Sequence, residues 1–383
     1  MFTRRELINT SLVSFTGLAA CGTPARATVK ADAFAKARDA AEDFRKKYDV
    51  PGMSIAIARH EQLALAEGFG FADVEAKRVV KPTTLFRIAS VSKPITSVAL
   101  FRLIEQGKLR LTDHVFGADG ILAPDYASVK LASGVDQLTV EQFMTHTTGG
   151  WQNDGSDPMF HHTDMNHHDL IAWTIANQPL THTPGTHFAY SNFGYCVLGR
   201  VLEKLTGKSY AEAVKQQVLK PCGIRDMRIT GNSREEAAAG ETVYYDAYPD
   251  SPYGLPASRM DSHGGWLATP TDLVMFLTRV DEFPNRPDIL RKETIDTMIT
   301  GTTAAPGYAH GWSVNLKGRN YFHNGSLPGT AAIAVRTQGG YCWAAITNVR
   351  RPGTQMDSDL DRLMWRMVDS VTEWPNVDMF GAT

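Results

Sequence analysis

Phe86-Arg-Ile-Ala-Ser90-Val-Ser-Lys93-Pro94 is the stretch on which the reading of this chain turns. Ser90 and Lys93 are three residues apart, so on a helix they share a face. Pro94 supports a helix that starts here, because proline is tolerated in the first turn, where N–H groups lack intrahelical partners. Ser90 would then sit at a helix N-terminus, whose partial positive charge favours a developing anion. A serine hydroxyl is a poor nucleophile at neutral pH. A neighbouring amine can take its proton when burial keeps that amine neutral. Ser-x-x-Lys is thus a compact nucleophile and base. Alone, it is also what a helix cap followed by a solvated lysine looks like, so the rest of the chain must decide.

The helix that Ser90 would open runs over 92–106 and stops at Gly107. Upstream, Phe34, Ala37, Ala41 and Phe44 recur at helical spacing within 31–48. Two short apolar runs, 53–58 and 63–71, flank His60-Glu61-Gln62 and read as a β-hairpin. Further on, Thr139-Val-Glu-Gln142 and Ser209-Tyr-Ala-Glu212 are capping-box patterns. Thr269-Pro270-Thr271-Asp272 opens another helix, with proline at its first position. Residues 149–190 form a long Gly/Asp/His/Pro/Thr-rich excursion with one short helix, and long loops are often functional. Runs 311–316, 331–336 and 341–348 are β-like, and 359–371 is a closing helix. This order predicts an α/β (α+β) fold. An antiparallel sheet flanked by helices is assembled from both chain ends, 31–110 and 290–383. A mostly helical lobe, 111–289, is inserted between them.

Two further stretches carry chemistry: Pro184-Gly-Thr-His-Phe-Ala-Tyr190-Ser-Asn192-Phe-Gly-Tyr195 and His323-Asn-Gly325-Ser326. Ser-x-x-Lys, Tyr-x-Asn and His-x-Gly follow one another at intervals of about 100 and 130 residues. In this order they resemble the serine hydrolase superfamily of class C β-lactamases, low-molecular-mass penicillin-binding proteins and related esterases. Thr145-His-Thr-Thr-Gly-Gly150, Ser262-His-Gly-Gly-Trp266 and Tyr308-Ala-His-Gly-Trp312 add to the resemblance, which covers about 35–370.

The resemblance implies a role for each matching position. Ser90 would form the acyl-enzyme, and Lys93 would accept or relay its proton. Tyr190 would act as general base or acid, as a phenol or as a phenolate held by Lys93. Asn192 would bind the acyl-side amide of the substrate or hold Lys93, and could also cap the helix that follows. The backbone N–H groups of Ser90 and Ser326 would form an oxyanion hole. Gly325 would let substrate approach the strand edge. Gln152 or its neighbour Trp151 would reach the substrate. The third motif departs from the Lys-Thr-Gly of the lactamases. A histidine is mostly neutral at pH 7, so His323 predicts carboxylate binding that is weak or pH-dependent. The expected substrate is a small-molecule ester. An amide or D-peptide, through a D-alanyl carboxypeptidase or D-aminopeptidase activity, is the alternative, and a sensor that acylates without turnover is the second. Ser/Lys/Tyr chemistry requires no cofactor.

Other features are less directive. His161, His162, His167 and His168 cluster beside Asp164 and read as a polar loop ahead of a metal site. Tyr244, Tyr245, Tyr248 and Tyr253 form either a pocket wall or surface packing. Cys196, Cys222 and Cys342 read as buried thiols. The 383 residues suit two structural lobes at roughly 100–200 residues per domain. With 39 Lys and Arg against 41 Asp and Glu, nothing favours nucleic acid as a partner. Residues 1–27 read as an export segment. Arg4-Arg5 resembles a twin-arginine signal, and Leu18-Ala19-Ala20-Cys21 a lipobox in competition with a cleavage site at Ala25-Arg26-Ala27. The expected location is the periplasm or cell envelope, with membrane attachment only through a lipid on Cys21.

Overall fold

The computed structural model describes residues 32–245, 251–315 and 317–381. The export segment, Cys21 and Tyr248 lie outside the described residues. Ala33–Thr383 packs as one compact unit. Its strands are β1 (Gly52–Arg59), β2 (Gln62–Asp73), β3 (Arg78–Val79), β4 (Phe86–Arg87), β5 (Arg228–Ile229), β6 (Trp266–Ala268), β7 (Ser313–Asn315), β8 (Asn320–Leu327), β9 (Thr330–Arg336) and β10 (Tyr341–Thr347). Seven of them form one sheet in the order β3-β2-β1-β10-β9-β8-β7, and every neighbouring pair is antiparallel. The two chain ends meet in its middle, where β1 pairs with β10 from Met53↔Thr347 to Arg59↔Tyr341. β4, β6 and β5 make a second, small sheet.

The helices are α1 (Ala35–Lys47), α2 (Ser92–Glu105), α3 (Val140–Met144), α4 (Pro158–His161), α5 (His167–Asn177), α6 (Asn192–Thr206) and α7 (Tyr210–Val214). A π-turn, Lys215–Leu219, carries α7 into α8 (Lys220–Cys222). α9 (Pro270–Leu277), α10 (Lys292–Met298) and α11 (Met356–Ser370) complete the set.

Both faces of the large sheet are covered, and side-chain alternation divides them. Ile55, Ile57, Ile333, Val335, Trp343 and Ala345 face a core shared with α1 and α11. Ala56, Ala58, Ala332, Ala334 and Ala344 face the opposite core, which includes α2, α6 and α9. Alanines on that side let helices sit close to the strands. α9 packs on β1 and β10, so this segment of 111–289 belongs with the sheet.

Local signals act as expected in most places. Thr139 and Thr269 each make a reciprocal capping box, with Gln142 and Asp272 respectively. At Ser209 only half of the box forms, because the hydroxyl accepts from Glu212 N–H without a return bond. The excursion 149–190 holds two helices, α4 and α5, each capped by an acceptor side chain, Asp157 or Asn166. No described helix is long and apolar enough to cross a membrane.

Candidate active site

Ser90 lies in a 3-10 turn, Ala89–Val91, that runs directly into α2. Ala89 has φ +48°, a left-handed conformation uncommon for a residue with a Cβ. His146 and Trp151, on the other side of the site, have φ +58° and +61°. Three such residues in one neighbourhood fit the tendency of backbone strain to gather where geometry is functional.

Lys93, the second residue of α2, is fully buried. Its Nζ lies 3.0 Å from Ser90 Oγ, 2.8 Å from Asn192 Oδ1 and 3.1 Å from the His263 carbonyl oxygen. Burial pushes its pKa well below that of a free lysine, against a weaker upward pull from Asp157. The two carbonyl oxygens can only accept. A neutral amine therefore gives them its two hydrogens and presents its lone pair to the Ser90 hydroxyl.

The Tyr190 phenol lies beside Ser90, and its ring centroid is 4.7 Å from Lys93 Nζ. Burial raises its phenol pKa far more than the Ser90 contact lowers it. That direction favours the phenol over the phenolate at neutral pH. Its ring rests on His146, centroids 4.3 Å apart, inside an aromatic group with Tyr195, Tyr308 and Phe188. His146 Nδ1 accepts from the Ser191 N–H.

Asn192 is the first residue of α6, and the cap expected of it is made by Ser191, whose hydroxyl accepts from Gly194 N–H. Its amide is fully used. Oδ1 accepts from Lys93, while Nδ2 donates to Asn153 Oδ1 at 2.9 Å and Asp157 Oδ2 at 3.1 Å. Of the two roles implied for Asn192, the geometry shows the hold on Lys93. Asn153 and Asp157 were not among the expected site residues. The Asp157-Pro158 pair, a cap followed by proline at the first helical position, was their legible signal. Gln152 is exposed beside Asn153, and Trp151 is buried between Phe143 and Phe193, out of reach of substrate.

The third motif lies on β8, which packs against the Ser90 turn. His323 is buried. Its Nδ1 is 2.6 Å from the Asn324 carbonyl oxygen and its Nε2 3.0 Å from Tyr308 Oη. The carbonyl fixes the hydrogen on Nδ1, so Nε2 accepts from the tyrosine. Burial, with Lys93 nearby, lowers its pKa to about 3. His323 is therefore a neutral internal residue, and the pH-dependent carboxylate contact expected of it is absent from the physiological range. Gly325 has a different reason from the expected one: a Cβ there would collide with the Ile88 carbonyl of the protein's own Ser90 turn. Ser326 pairs with Ala331, whose N–H and C=O both turn to Thr347 on the far strand. The peptide groups of Ser326 consequently face away from β9. Ser326 Oγ donates to Asp357, which is paired with Arg350 at 3.0 Å.

The remaining candidates are dispersed. Among the four clustered histidines, His161 contacts the Gly155 carbonyl, His162 packs on Trp173, His167 contacts the Arg259 carbonyl and His168 the Asp125 carbonyl. No metal-binding group of His, Cys, Asp or Glu occurs among the described residues. Tyr244 and Tyr253 stack on buried Arg87, and Tyr245 accepts from the Val74 N–H, so these rings pack the protein. Cys196, Cys222 and Cys342 are free and buried.

Comparison with known proteins agrees with this fold. Residues 37–364 match the Beta-lactamase family model. Protein flp of Staphylococcus aureus strain MRSA252 is 26% identical over 289 residues, 74% of this chain and 56% of that protein. Esterase EstB of Burkholderia gladioli is 33% identical over 210 residues, 52% of this chain and 51% of that protein. The chain thus spans about half the length of these curated relatives. The octameric penicillin-binding protein homologue from Pyrococcus abyssi superposes with a TM-score of 0.68 at 25% identity, covering 86% of this chain and 77% of that one. The D-amino acid amidase of Ochrobactrum anthropi SV3 shares the fold at a TM-score of 0.69 and 20% identity, covering 88% of this chain and 98% of that one. On the family match, the order of its motifs and this fold, the chain belongs to the Beta-lactamase family.

Proposed function

We propose that this protein is a serine hydrolase that turns over carboxylic esters through an acyl-enzyme on Ser90. The observation that carries the reading is the buried Lys93 amine, whose two hydrogens are claimed by carbonyl acceptors so that its lone pair meets the Ser90 hydroxyl. Lys93 takes the Ser90 proton as Oγ attacks the ester carbonyl. The N–H groups of Ser90 and Ser326 receive the developing oxyanion. The Tyr190 phenol protonates the leaving alkoxide. Water then attacks the acyl-enzyme with the same groups in reverse.

Ester is favoured over a β-lactam or a D-alanyl peptide by the third motif. Both of those substrates carry a carboxylate that asks for a cation. His323 is neutral and turned inward, and the nearby Arg350 is already neutralised by Asp357. The esterase named among the relatives supports the same choice.

Intact-mass spectrometry tests this directly. The protein is mixed separately with a short p-nitrophenyl ester, a β-lactam and a D-Ala-D-Ala peptide, beside Ser90→Ala. The expected result is an ester adduct that forms and clears, absent in Ser90→Ala, with a β-lactam adduct that persists or never forms. Rapid clearance of a peptide acyl group with release of D-alanine would replace the esterase by a peptidase. An adduct that never clears would point to a sensor.

A further inference from the structure

Asp157 is completely buried against Asn192, which holds Lys93, and no step above uses it. Its two carboxylate oxygens have separate tasks. Oδ1 accepts from Met159 N–H and caps α4, while Oδ2 accepts from Asn192 Nδ2 at 3.1 Å. A cap for a helix of one turn does not require a buried charge, since an exposed serine serves as well. Burying a carboxylate is expensive unless its charge and acceptor capacity are used.

We propose that Asp157 is a positioning residue for acylation: through Asn192 it fixes the orientation of the Lys93 amine toward Ser90. This rests on the hydrolase reading above and adds a residue to it. An asparagine side chain is nearly symmetric in shape, so its amide can sit either way round. Turned over, Asn192 would direct an N–H at the Lys93 nitrogen and occupy the lone pair that Ser90 needs. An ionised carboxylate can only accept, so it holds Nδ2 on its own side and leaves Oδ1 facing Lys93. Asn153 Oδ1 holds the second hydrogen of Nδ2.

The charge of Asp157 bears on the same amine. The titratable groups that face it are Lys93 from α2, Tyr190 just ahead of α6, and Cys196 in the second turn of α6. α5 also packs on α4, but its His167 and His168 turn to the Arg259 and Asp125 carbonyls. Burial raises the Asp157 pKa to about 6, against hydrogen bonds and Lys93 that lower it. As pH falls through that value, the carboxyl gains a proton and ceases to be an acceptor-only group. Orientation of Asn192 is then lost together with the neutral amine, which steepens the acid limb of the rate profile.

Three substitutions separate positioning from capping. Asp157→Ser keeps a cap for α4 but is too short to reach Asn192, and should lower kcat about 10–100-fold with KM within about twofold and an unchanged melting temperature. Asp157→Asn removes the charge and should move the acid limb of kcat/KM to lower pH. Asp157→Glu, which restores an acceptor-only group, should recover part of the Asp157→Ser loss. A substrate-independent readout is the Lys93 titration followed by NMR of 13Cε-labelled lysine. Asp157→Asn should shift it downward. If the wild-type protein hydrolyses nothing, the NMR titration still decides. A wild-type Lys93 titration in Asp157→Asn, or wild-type kcat and pH profile in Asp157→Ser, would overturn the proposal.

Discussion

A lysine ammonium has three hydrogens and no lone pair, and a lysine amine has two hydrogens and one. Around Lys93 that difference decides function, because two of its three neighbours can only accept and the third is Ser90. The proposed rate should accordingly rise with pH as the lowered Lys93 pKa is passed, since the working form is the deprotonated one. His323 should contribute nothing to that profile. Its pKa of about 3 leaves it neutral from pH 5 to 9. His323→Gln, which keeps a polar side chain on Tyr308, should therefore change kcat/KM for a p-nitrophenyl ester by less than about tenfold and leave the shape of its pH dependence unaltered. Loss of an ionisation in that variant would show that His323 titrates after all. At this scale the sequence was legible where a side chain reacts with a near neighbour: Ser90 and Lys93 met as their spacing requires. It was not legible where a buried acceptor serves from a distant segment. Asp157, through Asn192, and the His263 carbonyl reach Lys93 only through folding: the Asp157-Pro158 pair announces a helix cap, and nothing local announces the link to Lys93.

β8 is the element that brings the third motif to the Ser90 turn, and its sequence conceals it. Its burial alternates along Asn320–Leu327, but Asn320, His323, Asn324, Gly325 and Ser326 give no apolar rhythm to recognise. The more apolar β9 and β10 were evident for the opposite reason. Covered on both faces, they read as continuous hydrophobic runs. Gly325 sets how closely β8 meets the turn. Gly325→Ala must displace either the Ile88 peptide or the strand. It should destabilise the protein by about 1–3 kcal/mol and lower ester turnover more than 100-fold, because the Ser326 peptide moves away from Ser90. Thermal melting and kcat measured on the same preparation check both halves. A variant with wild-type values would mean that the turn yields at no cost.

At the scale of the whole molecule, pH acts on stability through a second set of carboxyls, remote from Ser90. The 281–288 loop is held by acceptors: Asp281 takes the Phe283 N–H, Asp288 takes the Asp281 and Glu282 N–H groups, and Glu61 takes those of Asn285 and Arg286. Burial pushes Asp281 up to about 7 and Asp288 up to about 6. The folded Asp281 carboxyl keeps its proton to about pH 7, whereas the unfolded one releases it near 3.8. Its contribution is thus fully present below pH 3.8 and is lost as pH rises toward 7. Asp281→Asn retains an acceptor for Phe283 and should be more stable than the wild type at pH 8 by roughly 2–4 kcal/mol, with little difference near pH 4. Melting curves of the two proteins that stay parallel from pH 4 to 8 would refute this. The architecture as a whole was legible as an antiparallel sheet drawn from both chain ends, because the strand and helix patterns there are uninterrupted. The β1–β10 seam has a kinetic consequence. Met53 must wait for Thr347, so the central pair of the sheet cannot zip until the roughly 300 residues between them have left the ribosome. Closing so large a loop before any reward arrives makes the folding barrier mainly entropic. Refolding from denaturant should therefore be slow even where the native state is stable.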